Sequence, residues 1–131
     1  MLTMKINDLG DVKVLRLAGR ITLGDEATKL RAAVESQHDC RTVILDLAGV
    51  SEIDAAGLGT LVSVRTWAYA NGKQLKLMNL TPLVEEVLEL TRLKSAFDVC
   101  SVSEMLDLLC RAAHSPVAVH AFDFEEQHAT A

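Results

Sequence analysis

The sequence predicts a single α/β domain built on a mixed β-sheet, with the element order β-β-α-β-α-β-α-β-α and helices packed on the sheet. Three observations predict it. Two segments of period-2 character, 1–7 and 12–17, are separated only by Asp8-Leu9-Gly10-Asp11, which makes them an antiparallel hairpin. Val43-Ile44-Leu45-Asp46-Leu47 is apolar almost throughout, as suits a strand covered on both faces. Helical and strand-like segments then alternate, which calls for parallel strands joined by helical crossovers.

In chain order, Leu2, Met4 and Ile6 mark one side of an edge strand, and Val12 to Leu17 alternates more clearly. Ala18 to Thr22 leads out into a helix from about Gly24 to Gln37, with Ala27, Leu30, Ala33 and Val34 on its inner face. The central strand is followed by a loop over Ala48–Ala56 and a helix over Gly57–Tyr69. Asp54 is placed to cap that helix, and Asn71-Gly72 to end it, since both tolerate φ > 0. Gly57 and Gly59 cost the opening turn about 1 kcal/mol each relative to Ala, so something approaches that backbone closely or the turn is sharp. Gln74–Asn79 is a short strand. Thr81 as cap and Pro82 at the first helical position start a helix that buries Leu83, Val84, Val87 and Leu88, or Leu90. Phe97–Cys100 is a last strand, and Ser101-Val102-Ser103-Glu104 opens a final helix to about Ala113, with Val102, Met105, Leu106, Leu109 and Cys110 inward. Residues 1–113 form the domain. Residues 114–131, with Asp123, Glu125 and Glu126 and no base, are expected to be a disordered acidic tail in which Phe122 and Phe124 are points of adhesion.

A chain of 131 residues with net charge −5 and no basic cluster has little electrostatic footprint for nucleic acid. No apolar run is long enough to span a bilayer, and no signal-peptide pattern is evident, so a cytoplasmic protein with no membrane insertion is expected. Cys40, Cys100 and Cys110 are widely spaced and odd in number, as befits reduced thiols.

Catalysis finds little support. Of the four histidines, His114, His120 and His128 fall in the tail and His38 in a helix-to-strand connection, none at the C-terminal end of a predicted strand. There is no zinc-like spacing and no phosphate loop. Asp46, Glu52 and Asp54 are better read as a turn and a helix cap than as ligands of a divalent ion. No enzyme, no cofactor and no metal are expected. The better candidate is the helix start itself, where free N–H groups and the helix dipole favour an anion or a covalent phosphate. The small residues Ala55, Ala56, Gly57 and Gly59 leave it flat enough for another protein to close over.

The stretch from Val43 to Gly59 resembles the signature of STAS domains, the fold of bacterial anti-sigma factor antagonists: an apolar strand, then Asp46-Leu47-Ala48-Gly49-Val50, then Asp54-Ala55-Ala56-Gly57-Leu58. Gly19-Arg20-Ile21 and Leu80-Thr81-Pro82 are similar to the family pattern as well, and the likeness covers about residues 2–110. The resemblance implies a STAS fold and a transcription-regulating, non-catalytic module that docks its helix-start loop on an anti-sigma factor of the serine protein kinase type, so freeing a sigma factor. It also implies a phosphorylatable serine at the position of Ala56, where this chain has no hydroxyl. Two expectations follow: a constitutive antagonist, or a switch moved to Ser51, Thr60 or Ser63. Asp54, Ala55, Ala56, Gly57, Leu58, Thr60 and Val64 are the expected contact surface, on the argument that the stripe Gly57, Thr60, Val64, Trp67 faces away from Leu58, Leu61, Val62 and Arg65. Trp67 could instead pack under the first strand or the tail. The alternatives within the resemblance are a cytosolic STAS subunit clasping the ATPase of a phospholipid-trafficking ABC transporter, and a scaffold subunit of a large STAS signalling assembly. The sequence leaves the oligomeric state open.

Overall fold

The computed structural model describes residues 1–101, 103, 104, 106, 107 and 110. Among them the sheet has five strands in the order β1 (Leu2–Asp8), β2 (Val12–Ile21), β3 (Thr42–Ile53), β4 (Gln74–Met78), β5 (Asp98–Val99). The β1–β2 hairpin is antiparallel and the β2–β3, β3–β4 and β4–β5 pairs are parallel. Helices α1 (Asp25–Glu35), α2 (Ala55–Ala70) and α3 (Pro82–Leu90) connect the parallel strands, and a 3-10 turn over Lys94–Ala96 precedes β5. The predicted mixed α/β sheet is therefore the observed one. Ser103, Glu104, Leu106, Asp107 and Cys110 are helical, and the Glu104 amide donates to Ser101 Oγ at 3.2 Å. The expected tail, 114–131, lies outside the described residues, as do the inward positions proposed for Val102, Met105 and Leu109.

Alternation along the strands sorts two faces. Leu15 and Leu17 of β2, Val43, Leu45 and Leu47 of β3, and Leu75 and Leu77 of β4 join one buried cluster with Leu30 and Val34 of α1, Leu61, Val64 and Ala68 of α2, and Val84 and Leu88 of α3. Each leucine or valine among them contributes about 1.5–3 kcal/mol by leaving water. The other face carries Val14 and Ile44, both buried, beside two ion pairs in register. Arg16 Nε lies 3.7 Å from Asp46 across β2–β3, and Lys76 Nζ lies 3.1 Å from Asp98 and 3.6 Å from Glu104. One polar tie was not foreseen: Lys73, nearly buried, donates from Nζ to the carbonyls of His38 (2.9 Å) and Cys40 (2.5 Å), fastening the start of β4 to the start of β3.

Several expectations are corrected. β3 does not stop at Leu47 but runs to Ile53, and β2 runs on to Ile21, so the expected loop is mostly strand. The reason is a pair of register shifts between Arg16/Ala18 and Gly19/Arg20, which disturb the period-2 pattern without ending the ladder. Gly49 sits at this irregularity, where a Cβ would lie 2.9 Å from the Ala18 Cβ. α3 buries Val84 and Leu88, but Leu83 and Leu90 face out. Leu106 and Cys110 are exposed rather than inward. At the end of α2 only Gly72 is left-handed (φ 69), and Asn71 is not.

Candidate functional site

The first turn of α2 sits at the edge of the sheet where β3 ends. Asp54 is the N-cap: its Oδ1 accepts from the Gly57 amide at 2.8 Å, and its carbonyl accepts from Leu58 at 2.9 Å. Its second oxygen, Oδ2, accepts from the amide of Leu23 at 3.0 Å, so one carboxylate joins the helix start to the β2–α1 loop. These two amide hydrogen bonds, Gly57 first and Leu23 next, hold the Asp54 carboxyl below its ordinary value of 3.8. The anion expected at the helix start is thus supplied by Asp54 itself. Because the folded state favours the ionised form, its contribution is full above the ordinary carboxylate range and fades as pH falls through the depressed value. Asp54→Ala should lower the thermal midpoint at pH 7, and the gap to the parent should narrow below about pH 4, as a pH series of melts would show.

Gly57 answers the close-approach expectation. A Cβ there would lie 2.7 Å from the carbonyl carbon of Ile21, at the end of β2, and nearer still to its oxygen. Gly59 is the opposite case: it is exposed, and a Cβ would meet nothing within 4 Å. Its cost to the helix is repaid by no contact in the described structure. Gly59→Ala should therefore stabilise the fold by about 1 kcal/mol, read as a rise of several degrees in the melting midpoint.

Asp54, Ala55 and Gly59 are exposed and Ala56, Thr60 and Ser63 half-buried, so these form one surface. Val64 does not belong to it. Val64 is 0 % exposed, Leu58 is 8 % exposed, and Gly57 is buried against Ile21. The correction is one of helix phase: Leu61, Val64 and Ala68 point at the core, and the expected outer stripe through Gly57 and Val64 is turned inward. Trp67, the last residue of that stripe, is half-buried against the same core. The three alternative hydroxyls differ. Ser51 is exposed and donates to the Gly19 carbonyl at 3.1 Å. The Thr60 hydroxyl donates back to the Ala56 carbonyl at 2.9 Å, and Ser63 is half-buried. Asp46 and Glu52 each pair with an arginine, Arg16 at 3.7 Å and Arg20 at 3.6 Å. Among the described residues no cluster of His, Cys, Asp or Glu has the geometry to hold a metal.

Sequence reasoning missed the tie between the Leu23 amide and Asp54; the Leu23 side chain is exposed. A lone leucine in a loop carries no period to mark it.

The family model described as "Mlab, STAS domain" matches residues 4–106. The chain belongs to the STAS family. Solved structures agree in fold. An anti-sigma factor antagonist from Mycobacterium paratuberculosis has a TM-score of 0.69 at 19 % identity, over 82 % of this chain and 93 % of that one. A putative anti-sigma factor antagonist from Thermotoga maritima has 0.65 at 24 %, over 82 % and 92 %. A sulfate transporter family protein from Wolinella succinogenes has 0.64 at 20 %, over 85 % and 93 %. Among the described residues, no helix is long and apolar enough to cross a membrane.

Proposed function

We propose that this STAS domain is a non-catalytic regulator of the anti-sigma factor antagonist kind, which works in the cytoplasm by docking the start of α2 on an anti-sigma factor of the serine kinase type. The observation that carries the reading is the bare helix start. Ala55 and Gly59 are exposed, Gly59 has open space where a side chain would be, and the stability forgone there has no return among the described residues. A small-residue surface on a rigid, capped turn allows a partner backbone to approach closely. Asp54, Ala55, Ala56 and Thr60 form the contact, with Gly59 and Ser63 beside them.

Ala56 has no oxygen to receive a phosphoryl group, so the antagonist is constitutively of the binding form. If a switch operates, Ser51 is the hydroxyl best placed for it, being exposed and three residues ahead of the cap. The experiment is to mix the purified chain with the anti-sigma kinases of the same genome and to follow complex formation by size-exclusion chromatography, with intact-mass measurement after addition of ATP. A complex with no added phosphate supports the constitutive reading, and failure to bind any such kinase counts against docking on this class.

The same missing hydroxyl favours a second reading, a STAS subunit clasping the ATPase of a phospholipid-trafficking ABC transporter, for which phosphorylation is not essential. Co-purification with a transporter ATPase in place of a kinase would select it.

A further inference from the structure

β1 is an edge strand whose outer side pairs with no other strand among the described residues. Its bonding to β2 fixes which backbone groups are left over. The Arg20 amide donates to the Met1 carbonyl and the Leu9 amide to the Val12 carbonyl. In the unbroken antiparallel register between them, Thr3, Lys5 and Asn7 therefore exchange hydrogen bonds with β2. The amides and carbonyls of Leu2, Met4 and Ile6 point outward along the open edge. Such an edge is a template for a further strand.

The side chains follow the same alternation. Leu2 and Met4 lie on the core face, and Ile6, in register with Leu15, shares that face but is 44 % exposed. Thr3 and Lys5 are exposed on the opposite face. Lys5 stands directly across from Arg16, a like charge, and Asp46 is taken by Arg16. Like charges opposed on neighbouring strands are destabilising. A segment that fits this edge alternates apolar and acidic residues.

The sequence holds such a segment outside the described residues, Phe122-Asp123-Phe124-Glu125. Laid antiparallel with Phe124 opposite Met4, it sets Phe122 opposite Ile6, Asp123 opposite Lys5 and Glu125 opposite Thr3. Its reach is ample. Glu104 lies 3.6 Å from Lys76 of β4, three strand spacings or roughly 15 Å from β1. The twelve residues 111–122 extend to roughly 40 Å.

We infer that residues 122–125 add to β1 as a further antiparallel strand, so that the chain closes its own open edge. A second copy is the poorer occupant. Two β1 strands paired about Lys5 oppose lysine to lysine, and paired about Met4 they oppose Lys5 to Thr3, so neither supplies an acid. Closure within one chain also removes the template on which copies would associate.

Amide exchange of the full chain, read residue by residue by NMR, tests this against an internal control, because Thr3, Lys5 and Asn7 are held by β2 in either case. The Met4 and Ile6 amides should be protected in the parent. Phe122→Ser with Phe124→Ser should cost them at least about tenfold in protection, with the control amides unchanged. Lys5→Asp should act in the same direction, and adding Asp123→Lys should restore protection. Unprotected Met4 and Ile6 amides in the parent overturn the added strand, as does protection that survives loss of both phenylalanines. Protection that rises with protein concentration, alongside a dimer in sedimentation velocity, overturns closure within one chain. Failure of Asp123→Lys to rescue Lys5→Asp overturns the register.

Discussion

Gly57→Ala should destabilise the domain by about 3 kcal/mol or more, lowering the melting midpoint by roughly 10 °C. Two effects oppose each other. Replacing glycine inside a helix returns about 1 kcal/mol of propensity. Against it, the new methyl would sit 2.7 Å from the Ile21 carbonyl carbon and nearer to its oxygen, and both are backbone. That carbonyl cannot swing aside cheaply, since it accepts from the Asp54 amide at 3.4 Å and ends a strand paired with β3. Relief would require the whole end of β2, or the first turn of α2, to move by about an ångström, so the clash dominates. Two glycines two residues apart are expected to respond with opposite signs, Gly59 upward and Gly57 downward, and paired thermal melts would check both.

Much of this site could be read before the fold was known, for reasons that are local. An acid ahead of three tiny residues names a cap, because the hydrogen bond that the Gly57 amide donates to Asp54 Oδ1 depends on nothing beyond that turn. Thr81-Pro82 is legible for the same reason, with Thr81 Oγ1 accepting from Val84 at 3.3 Å. The cost of Gly57 announced a close approach, although only the tertiary structure could identify Ile21 as its source. The failures are non-local. α2 is apolar nearly all round, with Leu58, Leu61, Val62, Val64 and Trp67 spread over its circumference, so periodicity does not settle its phase and Val64 fell on the wrong side. The extension of β3 was hidden by the bulges in β2, which a strict alternation of two does not survive. Lysine normally marks a surface, so Lys73 gave no sign that two carbonyls 33 and 35 residues away would take its ammonium out of water. The tie from the Leu23 amide to Asp54, 31 residues on, is equally beyond the reach of a local pattern.

The second large effect is on association. Ala56 is half-buried on the outer side of the first turn, flanked by exposed Ala55 and by Gly59, one turn from the half-buried Thr60. Because Ala56 is partly exposed, an arginine there is expected to extend into solvent and to cost the fold no more than about 0.5 kcal/mol, the range of ordinary surface substitutions. A partner that closes over the turn has no such latitude. It would have to accommodate a side chain of several ångströms and take its charge out of water. Isothermal titration of the anti-sigma kinase with the parent and with Ala56→Arg tests the central claim most directly. Saturable binding by the parent and none by the variant, at matched melting midpoints, is the predicted result. Equal affinity for both proteins would mean that the start of α2 is not where this domain meets its partner.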